Sequence, residues 1–319
     1  MADLNATSSI TGERLVDRVL APTTLGALTR VRLRASRAGG ERPGNTRVRH
    51  RSDRTGSELE RFAPYAPGDD LRHVDWSAYA RLGELLTRRF VAEREVPVWI
   101  LIDTTGSMGP AGPRSKIDLA AAVATVLGVV CLAGGDRVSV GLLPGVGSPA
   151  MGGRLSIGPL RGRRSIHSMG SFLRAVEPGG TDGALRSGID RILGHERGGL
   201  VFFISDFLRP LGEITEAFDF LAARGAEIKL VQALSREDLD PAWLRGCDHL
   251  VDRETGEEIE IDTHGDTLKA YERALAAHMA RLRRAALERG IAASLAVTDR
   301  TLEHFLGSEL PRLGLSLVR

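Results

Sequence analysis

From Val96 onward, short apolar runs alternate with helical patterns, and this alternation restricts the chain to few folds. Alternating strands and helices indicate βαβ units, which build a parallel sheet with helices on both faces. The predicted strands are Val96–Ile102, Arg137–Leu143, Leu200–Ser205, Glu227–Leu234 and Ala292–Thr298, with a short antiparallel edge strand near Arg154–Ile157. The predicted helices lie near residues 115–133, 163–175, 183–194, 212–224, 266–289 and 300–309. We therefore expect an α/β protein with a doubly wound, mostly parallel sheet of the Rossmann type.

The composition is that of a soluble globular protein, with 319 residues of which 42% are hydrophobic and 26% charged. The longest apolar stretch, Leu119 to Ala133, is shorter than a bilayer span, so we expect a core helix and no transmembrane segment. The two cysteines, Cys131 and Cys247, lack the CxxC spacing that is typical of zinc or redox sites. With no visible signal peptide, these features predict a cytoplasmic protein.

A basic segment precedes the alternating region. Between Arg30 and Arg54 the chain carries nine arginines against two acids, Glu41 and Asp53. Such a segment could bind nucleic acid or an anionic membrane surface, but it has no interleaved aromatic residues for stacking on bases. The alternative is a solvated Arg-rich helix from Thr23 to about Arg37, followed by a linker rich in Gly and Pro.

A cluster of side-chain oxygens follows the first predicted strand. In VPVWILIDTTGSMGP the apolar run stops at Asp103, and Thr105 and Ser107 follow at alternate positions. Residues just past the carboxyl end of a buried parallel strand line the usual ligand crevice of an open α/β sheet. These three residues are therefore a candidate site, and the alternative for each is a polar turn that caps the next helix.

Two further oxygen-bearing residues are predicted at the same end of the sheet. Thr181 lies in the Gly-rich segment EPGGTDGALRSG before a helix, and Asp206 follows the strand in LVFFISDFLRP. If the strands that end at Asp103 and Asp206 are neighbours, two carboxylates and three hydroxyls converge. Mg²⁺ prefers oxygen ligands in an octahedron, so the sequence predicts a Mg²⁺ site, with Mn²⁺ as the alternative ion.

At these positions the sequence resembles the von Willebrand factor type A fold with its metal-ion-dependent adhesion site. The family pattern is DxSxS after the first strand, a Thr in a later loop and an Asp after the fourth strand. The resemblance implies the metal ligands Asp103, Thr105, Ser107, Thr181 and Asp206. Thr105 departs from the pattern, because the family usually has Ser there.

The segment RTGSELERFAPYAPGDDLRHVDWSAYARLGELLTRRFVAERE, just before the first strand, is similar to the signature of the domain of unknown function 58 family. GGTDGAL, ISDFL and LVDRETGE also resemble that family's pattern, so the resemblance covers roughly residues 20 to 305. Members of that family are similar to proteins that act as partners of MoxR-type AAA+ ATPases. The resemblance implies an adaptor or chaperone-like role rather than catalysis. We therefore expect a non-enzymatic Mg²⁺-dependent protein-binding module, in which a carboxylate of such an ATPase or of its client completes the coordination of the metal.

The chain is divided into an N-terminal extension, 1–95, and a von Willebrand A-like domain, 96–319, with a β-hairpin near 248–262. Within the extension, Asp75 is predicted to cap a short helix and residues 85–93 to form a strand. The aromatic residues of the extension are predicted to pack inward: Phe62, Tyr65 and Trp76. Three of its acids could instead form a second metal site: Asp69, Asp70 and Asp75.

An enzyme is the rival class of function. If Asp103 were the nucleophile of an aspartyl phosphatase, a second acid would be needed at position 105 as the general acid, but that residue is Thr105. The chain has no GxxxxGK[ST] phosphate loop and no GxSxG nucleophile elbow. Its eight histidines are scattered without a metal-ligand spacing. We therefore expect no enzymatic activity, with a metal-dependent hydrolase or a nucleic-acid-binding protein as the alternatives.

Overall fold

The computed structural model describes residues 14–33, 58–67, 69, 71–91, 96–109, 115–143, 153–179, 183–245, 249–251, 257–260 and 265–317. The strands are β1 Val31–Leu33, β2 Glu58–Pro64, β3 Leu86–Val91, β4 Pro97–Asp103, β5 Arg137–Leu143, β6 Ser156–Leu160, β7 Leu200–Ser205, β8 Glu227–Leu234, β9 His249–Val251, β10 Glu258–Glu260, β11 Ala292–Val297 and β12 Leu315–Leu317. The helices are α1 Leu15–Leu20, α2 Pro22–Leu28, α3 Trp76–Leu82, α4 Lys116–Ala133, α5 Ile166–Arg174, α6 Leu185–Leu193, α7 Leu211–Ala223, α8 Arg236–Leu239, α9 Gly265–Glu288 and α10 Leu302–His304. The chain divides into two compact units, residues 1–38 with 96–319 and residues 39–95.

Six strands form the main sheet, in the order β11-β8-β7-β4-β5-β6. All neighbours are parallel except β5 and β6, which are antiparallel. The prediction of a mixed α/β fold with a mostly parallel sheet and an antiparallel edge strand is therefore confirmed. From β4 the chain moves outward through β5 and β6, and then returns to β7 on the other side of β4. The order of the strands thus reverses between β4 and β7, which is where ligands bind in open α/β sheets.

Each face of this sheet is covered by its own apolar core. Side chains alternate along a strand, so Val98 and Ile100 of β4 face one core while Trp99 and Leu101 face the other. The first core contains residues of α1, α4 and α5, and the second contains residues of α6, α7 and α9. Burying a large aliphatic side chain contributes about 1.5–3 kcal/mol to the stability of the fold. The two cores therefore hold β4 and β7 firmly in the sheet.

Helix α4 is the central helix of the first core. Among the described residues it alone is long and apolar enough to cross a membrane, with 89% of its 18-residue window buried inside the fold. A mostly buried helix of this kind is what the core of a globular domain contains, and length and composition by themselves are weak evidence of a membrane span. It begins at Lys116, which is 2% exposed although it is charged.

The prediction of a helix from Thr23 to about Arg37 is wrong for residues 29–33. Helix α2 ends at Leu28, and the chain then enters β1, which pairs antiparallel with β12 near the C-terminus. Val31 pairs with Leu317 and is completely buried in the first core, which favours a strand over the helix. Residues 34–54 of the basic segment lie outside the described residues.

The unit of residues 39–95 contains a β-hairpin and a short helix. Strands β2 and β3 pair antiparallel, and β3 confirms the strand predicted at residues 85–93. Asp75 Oδ1 accepts hydrogen bonds of 3.0 Å from the backbone N–H groups of Ser77 and Ala78, so it is the N-cap of α3 as predicted. The inward packing of the aromatic residues is wrong for two of them, because Phe62 is 47% and Trp76 58% exposed.

The C-terminal elements follow the sequence prediction with one change of detail. Strands β9 and β10 pair antiparallel, which confirms the hairpin near 248–262, and its turn at 252–256 lies outside the described residues. Residues 300–309, predicted as one helix, form the short α10 and then a π-helical turn, Phe305–Glu309. Glu309 of that turn is 4% exposed, and its carboxylate accepts the Leu295 N–H of the edge strand β11 at 3.0 Å. The turn therefore covers part of the sheet edge.

Candidate metal site

Asp103 is the last residue of β4 and is completely buried. Its Oδ1 accepts two hydrogen bonds from Thr105, 2.9 Å from the backbone N–H and 2.7 Å from the hydroxyl. Burial raises the pKa of the Asp103 carboxyl above its ordinary value of 3.8, and the negative charge of Asp206 raises it further. The hydrogen bonds to the carboxylate oppose that rise, because they stabilise the charged form.

The DxTxS spacing brings its three polar side chains into one chain of contacts. After Thr105 the backbone forms a 3-10 turn, Gly106–Met108, which brings Ser107 round to the same side. The two hydroxyl oxygens lie 3.0 Å apart. Thr105 is buried, whereas Ser107 is partly exposed, so this chain of oxygens runs from the buried carboxylate toward the surface.

Asp206 directly follows β7 and is 1% exposed. Strands β4 and β7 are hydrogen-bonded neighbours, with Ile102 paired to Ile204, so the condition for the predicted convergence of the two acids is met. One oxygen of Asp206, Oδ1, accepts the Leu208 N–H at 3.2 Å. The two acids therefore stand at the switch point of the sheet.

The residue after Asp206 holds a strained backbone conformation. Phe207 has φ of 54°, a left-handed conformation that non-glycine residues seldom adopt. Its ring is completely buried and contacts that of Phe203 edge to face, with centroids 5.0 Å apart. Its carbonyl oxygen lies 2.6 Å from Nε2 of His278 on α9. Packing and this hydrogen bond hold the turn that carries Asp206, and strain of this kind is common at functional sites.

Sequence reasoning missed Ser205, the last residue of β7. Its hydroxyl donates a hydrogen bond of 2.6 Å to Asp103 Oδ2 and accepts the Phe207 N–H at 3.0 Å. A serine that ends an apolar strand beside an aspartate is visible in ISDFL, but its partner depends on which strands are neighbours. Ser205 joins the two strand ends that carry the acids.

Lys116 and Asp238 were also missed. The ammonium nitrogen of Lys116 lies 3.0 Å from Asp206 Oδ2 and 3.1 Å from Asp238 Oδ2. Burial alone would lower the pKa of this lysine, but the two carboxylates outweigh burial and raise its pKa above 10.5, so it is charged. The available signal was a lysine heading an apolar helix, where a charge must find a partner.

Thr181 lies outside the described residues. The two described ends of its loop lie beside the strand ends. The N–H of Gly179 donates to the Thr104 carbonyl at 3.0 Å, and the Gly183 carbonyl accepts from Arg209 Nη2 at 3.1 Å. The loop that contains Thr181 thus starts next to the residue after Asp103 and ends next to a residue close to Asp206.

The two acids have acceptor positions that the described contacts do not use. An ionised carboxylate offers about four lone-pair positions. Among the described residues, Asp103 accepts three hydrogen bonds, and Asp206 accepts one hydrogen bond and one ammonium contact. Lone pairs therefore remain on both acids, and the hydroxyls of Thr105 and Ser107 add neutral oxygen donors. A set of two carboxylates and hydroxyls fits a hard cation such as Mg²⁺.

No group of three or more His, Cys, Asp or Glu side chains suited to a metal occurs within the described ranges. The second metal site proposed for the extension gains no support from the contacts of its members. Asp75 caps α3, Asp69 Oδ2 accepts the Ala66 N–H at 3.0 Å, and Asp70 lies outside the described residues. The candidate site at the sheet end differs in kind, because hydroxyls supply part of its oxygens.

The sequence profile of the family described as "Protein of unknown function DUF58" matches residues 61–281. Uncharacterized proteins of Mycobacterium tuberculosis and Mycobacterium bovis are 30% identical to the chain over 229 residues, which covers 70% of this chain and 69% of theirs.

Two solved structures are similar at low scores. The conserved hypothetical protein BatB from Bacteroides thetaiotaomicron has a TM-score of 0.35 and 17% identity, over 59% of this chain and 99% of that one. An aerotolerance-related membrane protein from Bacteroides fragilis has a TM-score of 0.34 and 15% identity, over 61% of this chain and 98% of that one. The second is described as a membrane protein, and neither comparison supports the cytoplasmic location predicted from the sequence, so that prediction is not retained.

Proposed function

We propose that this chain is a Mg²⁺-dependent protein-binding module. The chain belongs to the DUF58 family of proteins of unknown function. In this proposal residues 96–319 form a von Willebrand factor A-like domain. Its adhesion-type site is made by Asp103, Thr105, Ser107, Thr181 and Asp206. The observation that carries the proposal is that Asp103 ends one strand and Asp206 directly follows the adjacent parallel strand at the switch point. The Thr105 and Ser107 hydroxyls form a chain of contacts from Asp103.

The proposed binding mechanism follows from the coordination chemistry of a small dication. Mg²⁺ takes six oxygen ligands at about 2.1 Å and usually keeps several waters. Hydroxyls supply neutral ligands, so the bound metal keeps a net positive charge toward the surface. A carboxylate from a partner protein completes the octahedron and forms a charge-assisted contact in a partly desolvated site. Metal occupancy and partner affinity are then coupled, and the coupling is reciprocal.

The proposed partner is a MoxR-type AAA+ ATPase or its client. This part rests on the resemblance of the segment before β4 and of GGTDGAL and ISDFL to the DUF58 pattern. The chemical requirement on the partner is an accessible Asp or Glu side chain that can reach the metal.

We propose binding rather than catalysis as the role of this site. An aspartyl phosphatase would need an acid two residues after its nucleophile, and Thr105 stands there with its hydroxyl hydrogen-bonded to Asp103. Two carboxylates that accept five contacts between them are held as ligands or anchors rather than poised as a free nucleophile. A metal-dependent hydrolase is the outcome that the experiment below would detect.

Calorimetry with Mg²⁺ and Mn²⁺ tests the metal. Wild-type protein should bind one ion, and Asp103→Ala and Asp206→Ala should abolish binding. Asp190→Ala is the matched control, because Asp190 is an exposed acid of α6 whose contact is with Arg224. The control should bind the ion as wild type does. Wild-type protein that binds no divalent ion, even with lysate proteins present, contradicts the proposal.

A pull-down from lysate tests the partner. Metal-loaded wild type, Thr181→Ala and EDTA-treated wild type are compared beside a generic phosphatase assay. Losing one residue that orients a metal typically weakens metal binding about ten- to a hundred-fold, so Thr181→Ala should recover less partner when the metal is limiting. Recovery of a MoxR-type ATPase by metal-loaded wild type alone supports the proposal. Identical partners in all three lanes contradict it, and phosphatase turnover that falls in Asp103→Asn favours a hydrolase.

A further inference from the structure

We propose that Lys116 is an internal cation of this site, which holds Asp206 when no metal is bound and competes with the divalent ion for it. This inference rests on the proposed function, because it concerns the affinity of the same site for its metal. Lys116 is the first residue of α4, and its ammonium lies 3.0 Å from Asp206 Oδ2, the oxygen that does not accept the Leu208 N–H.

The position of Lys116 is fixed from a second side. Its ammonium also lies 3.1 Å from Asp238 Oδ2, and the same oxygen accepts the Ser235 N–H at 2.8 Å. Ser235 returns a hydrogen bond from its hydroxyl to the Asp238 N–H at 3.0 Å, which completes a capping box at the start of α8. Asp238 is therefore held in place, and Lys116 is held between two carboxylates.

Burial makes this arrangement strong. The side chain of Lys116 is 3% exposed and that of Asp206 1% exposed, so water screens their attraction little. A unit positive charge this close to a ligand oxygen repels an incoming dication and occupies one of the positions the dication would use. A Mg²⁺ ion that binds Asp206 directly must therefore weaken or displace the Lys116 contact.

The arrangement also has a consequence beyond the site. When Asp206 turns to a metal, Lys116 keeps Asp238 as its partner. The Asp238 carbonyl accepts a 3.1 Å hydrogen bond from the Tyr271 hydroxyl of α9. The Lys116 contacts thus join the metal position to the start of α8 and to α9. A site with a built-in cation holds a dication weakly by itself and more firmly when a partner carboxylate adds negative charge, which is the coupling that the proposed function needs.

The test measures Mn²⁺ affinity by calorimetry or by paramagnetic resonance in the wild type, Lys116→Met, Asp238→Asn and the double variant Lys116→Met with Asp238→Asn. Methionine keeps most of the length and apolar stem of lysine without its charge. We expect Lys116→Met to bind Mn²⁺ about tenfold more tightly or better, because the repelling charge is gone. Asp238→Asn removes a nearby negative charge and should bind equally or more weakly.

Thermal unfolding gives a second readout. Metal-free Lys116→Met should unfold at a lower temperature than wild type, because Asp206 and Asp238 lose their buried partner, and saturating Mn²⁺ should raise its midpoint more than that of wild type. If Lys116→Met does not fold without metal, the double variant, which leaves one buried carboxylate fewer unpaired, is compared with Asp238→Asn instead.

The outcomes separate the two proposals. Tighter Mn²⁺ binding after loss of the Lys116 charge supports the inference, including the case in which wild type binds too weakly to measure. Equal or weaker binding by folded Lys116→Met, with a wild type that does bind, overturns the inference and leaves the proposed function standing. Folded variants and wild type that all fail to bind Mn²⁺ overturn both.

Discussion

The hydroxyl of Ser205 donates a 2.6 Å hydrogen bond to the Asp103 carboxylate, from the end of one parallel strand to the end of its neighbour. Ser205 also accepts the Phe207 N–H, so the same side chain holds the turn that presents Asp206. Two acids on separate strands are thereby held in a fixed relation through one serine. This relation makes Ser205 part of the candidate site, although it is not in the pattern that revealed the site.

Ser205→Ala should destabilise the protein by about 1–3 kcal/mol, because it leaves a buried carboxylate oxygen and a buried backbone N–H without their partner. Its Mg²⁺ affinity should also fall, because Asp103 loses the group that orients it. Urea unfolding and calorimetry measure the two effects. Ser187→Ala is the control, because Ser187 is exposed on α6 and its hydroxyl donates to the nearby carbonyl of Ala184. A change within about 0.5 kcal/mol is expected there.

Gly199→Ala should disturb the pairing of β4 and β7 from the opposite end of the strands. Gly199 has φ of +86°, and an added Cβ would lie 2.2 Å from the backbone oxygen of Pro97, the first residue of β4. Backbone atoms of a buried sheet cannot yield easily, so we expect a loss of about 3 kcal/mol or more in the free energy of unfolding.

Gly225→Ala is the matched control for that substitution. Gly225 has a similar φ of +79°, but the nearest atom to an added Cβ is 3.9 Å away. It should show only the cost of the left-handed conformation, about 1–2 kcal/mol. Equal losses in the two variants, measured by denaturant unfolding, would contradict the close approach of Gly199 to the first residue of β4.

The strands of the sheet, though not their order, could be predicted from the sequence, because each strand is a short apolar run with turn residues on both sides. Three predicted strands have the observed bounds, and the ends of two others differ by one residue. The location of the two acids could be predicted from the same apolar runs, because a residue directly after a buried parallel strand lies at the carboxyl edge of the sheet.

The contacts that the sequence could not supply depend on distant parts of the chain. Lys116 contacts residues 90 and 122 positions away, and β1 pairs with a strand almost 300 residues later. Neither the Lys116 contacts nor the pairing of β1 produces a local pattern in the sequence. The inward packing predicted for Phe62 and Trp76 is wrong for a related reason, because an aromatic residue on a short helix or a hairpin is buried only if another part of the chain covers it.

We predict that nucleic acid is not the physiological ligand of the basic segment from Arg30 to Arg54. Binding to duplex DNA should be weak, should fall with a log–log salt slope of about −0.9 for each phosphate contacted, and should vanish near physiological salt. Fluorescence anisotropy with a labelled duplex measures the slope. Arg47→Gln with Arg49→Gln and Arg51→Gln should reduce it. Tight binding that survives physiological salt would favour a nucleic-acid-binding protein instead.

The raised pKa of Asp103 predicts how the stability of the metal-free protein depends on pH. In the unfolded chain this carboxyl releases its proton near its ordinary value of 3.8, whereas burial and the charge of Asp206 make it keep the proton to a higher pH in the folded state. The folded state therefore binds the proton more tightly. The contribution of Asp103 to stability is fully present below 3.8 and is lost as the pH rises through its folded pKa.

Comparing wild type with Asp103→Asn isolates this term, because asparagine does not titrate and the other groups are shared. The free energy of unfolding of metal-free wild type should fall relative to that of Asp103→Asn as the pH is raised from about 3 to about 7. Saturating Mg²⁺ should cancel the fall in wild type alone, because the ion neutralises the buried carboxylate that deprotonation leaves. Urea unfolding at a series of pH values, with and without Mg²⁺, measures both effects. A difference between the two proteins that stays constant with pH, or that moves in favour of wild type as the pH rises without metal, would contradict the desolvated environment assigned to Asp103.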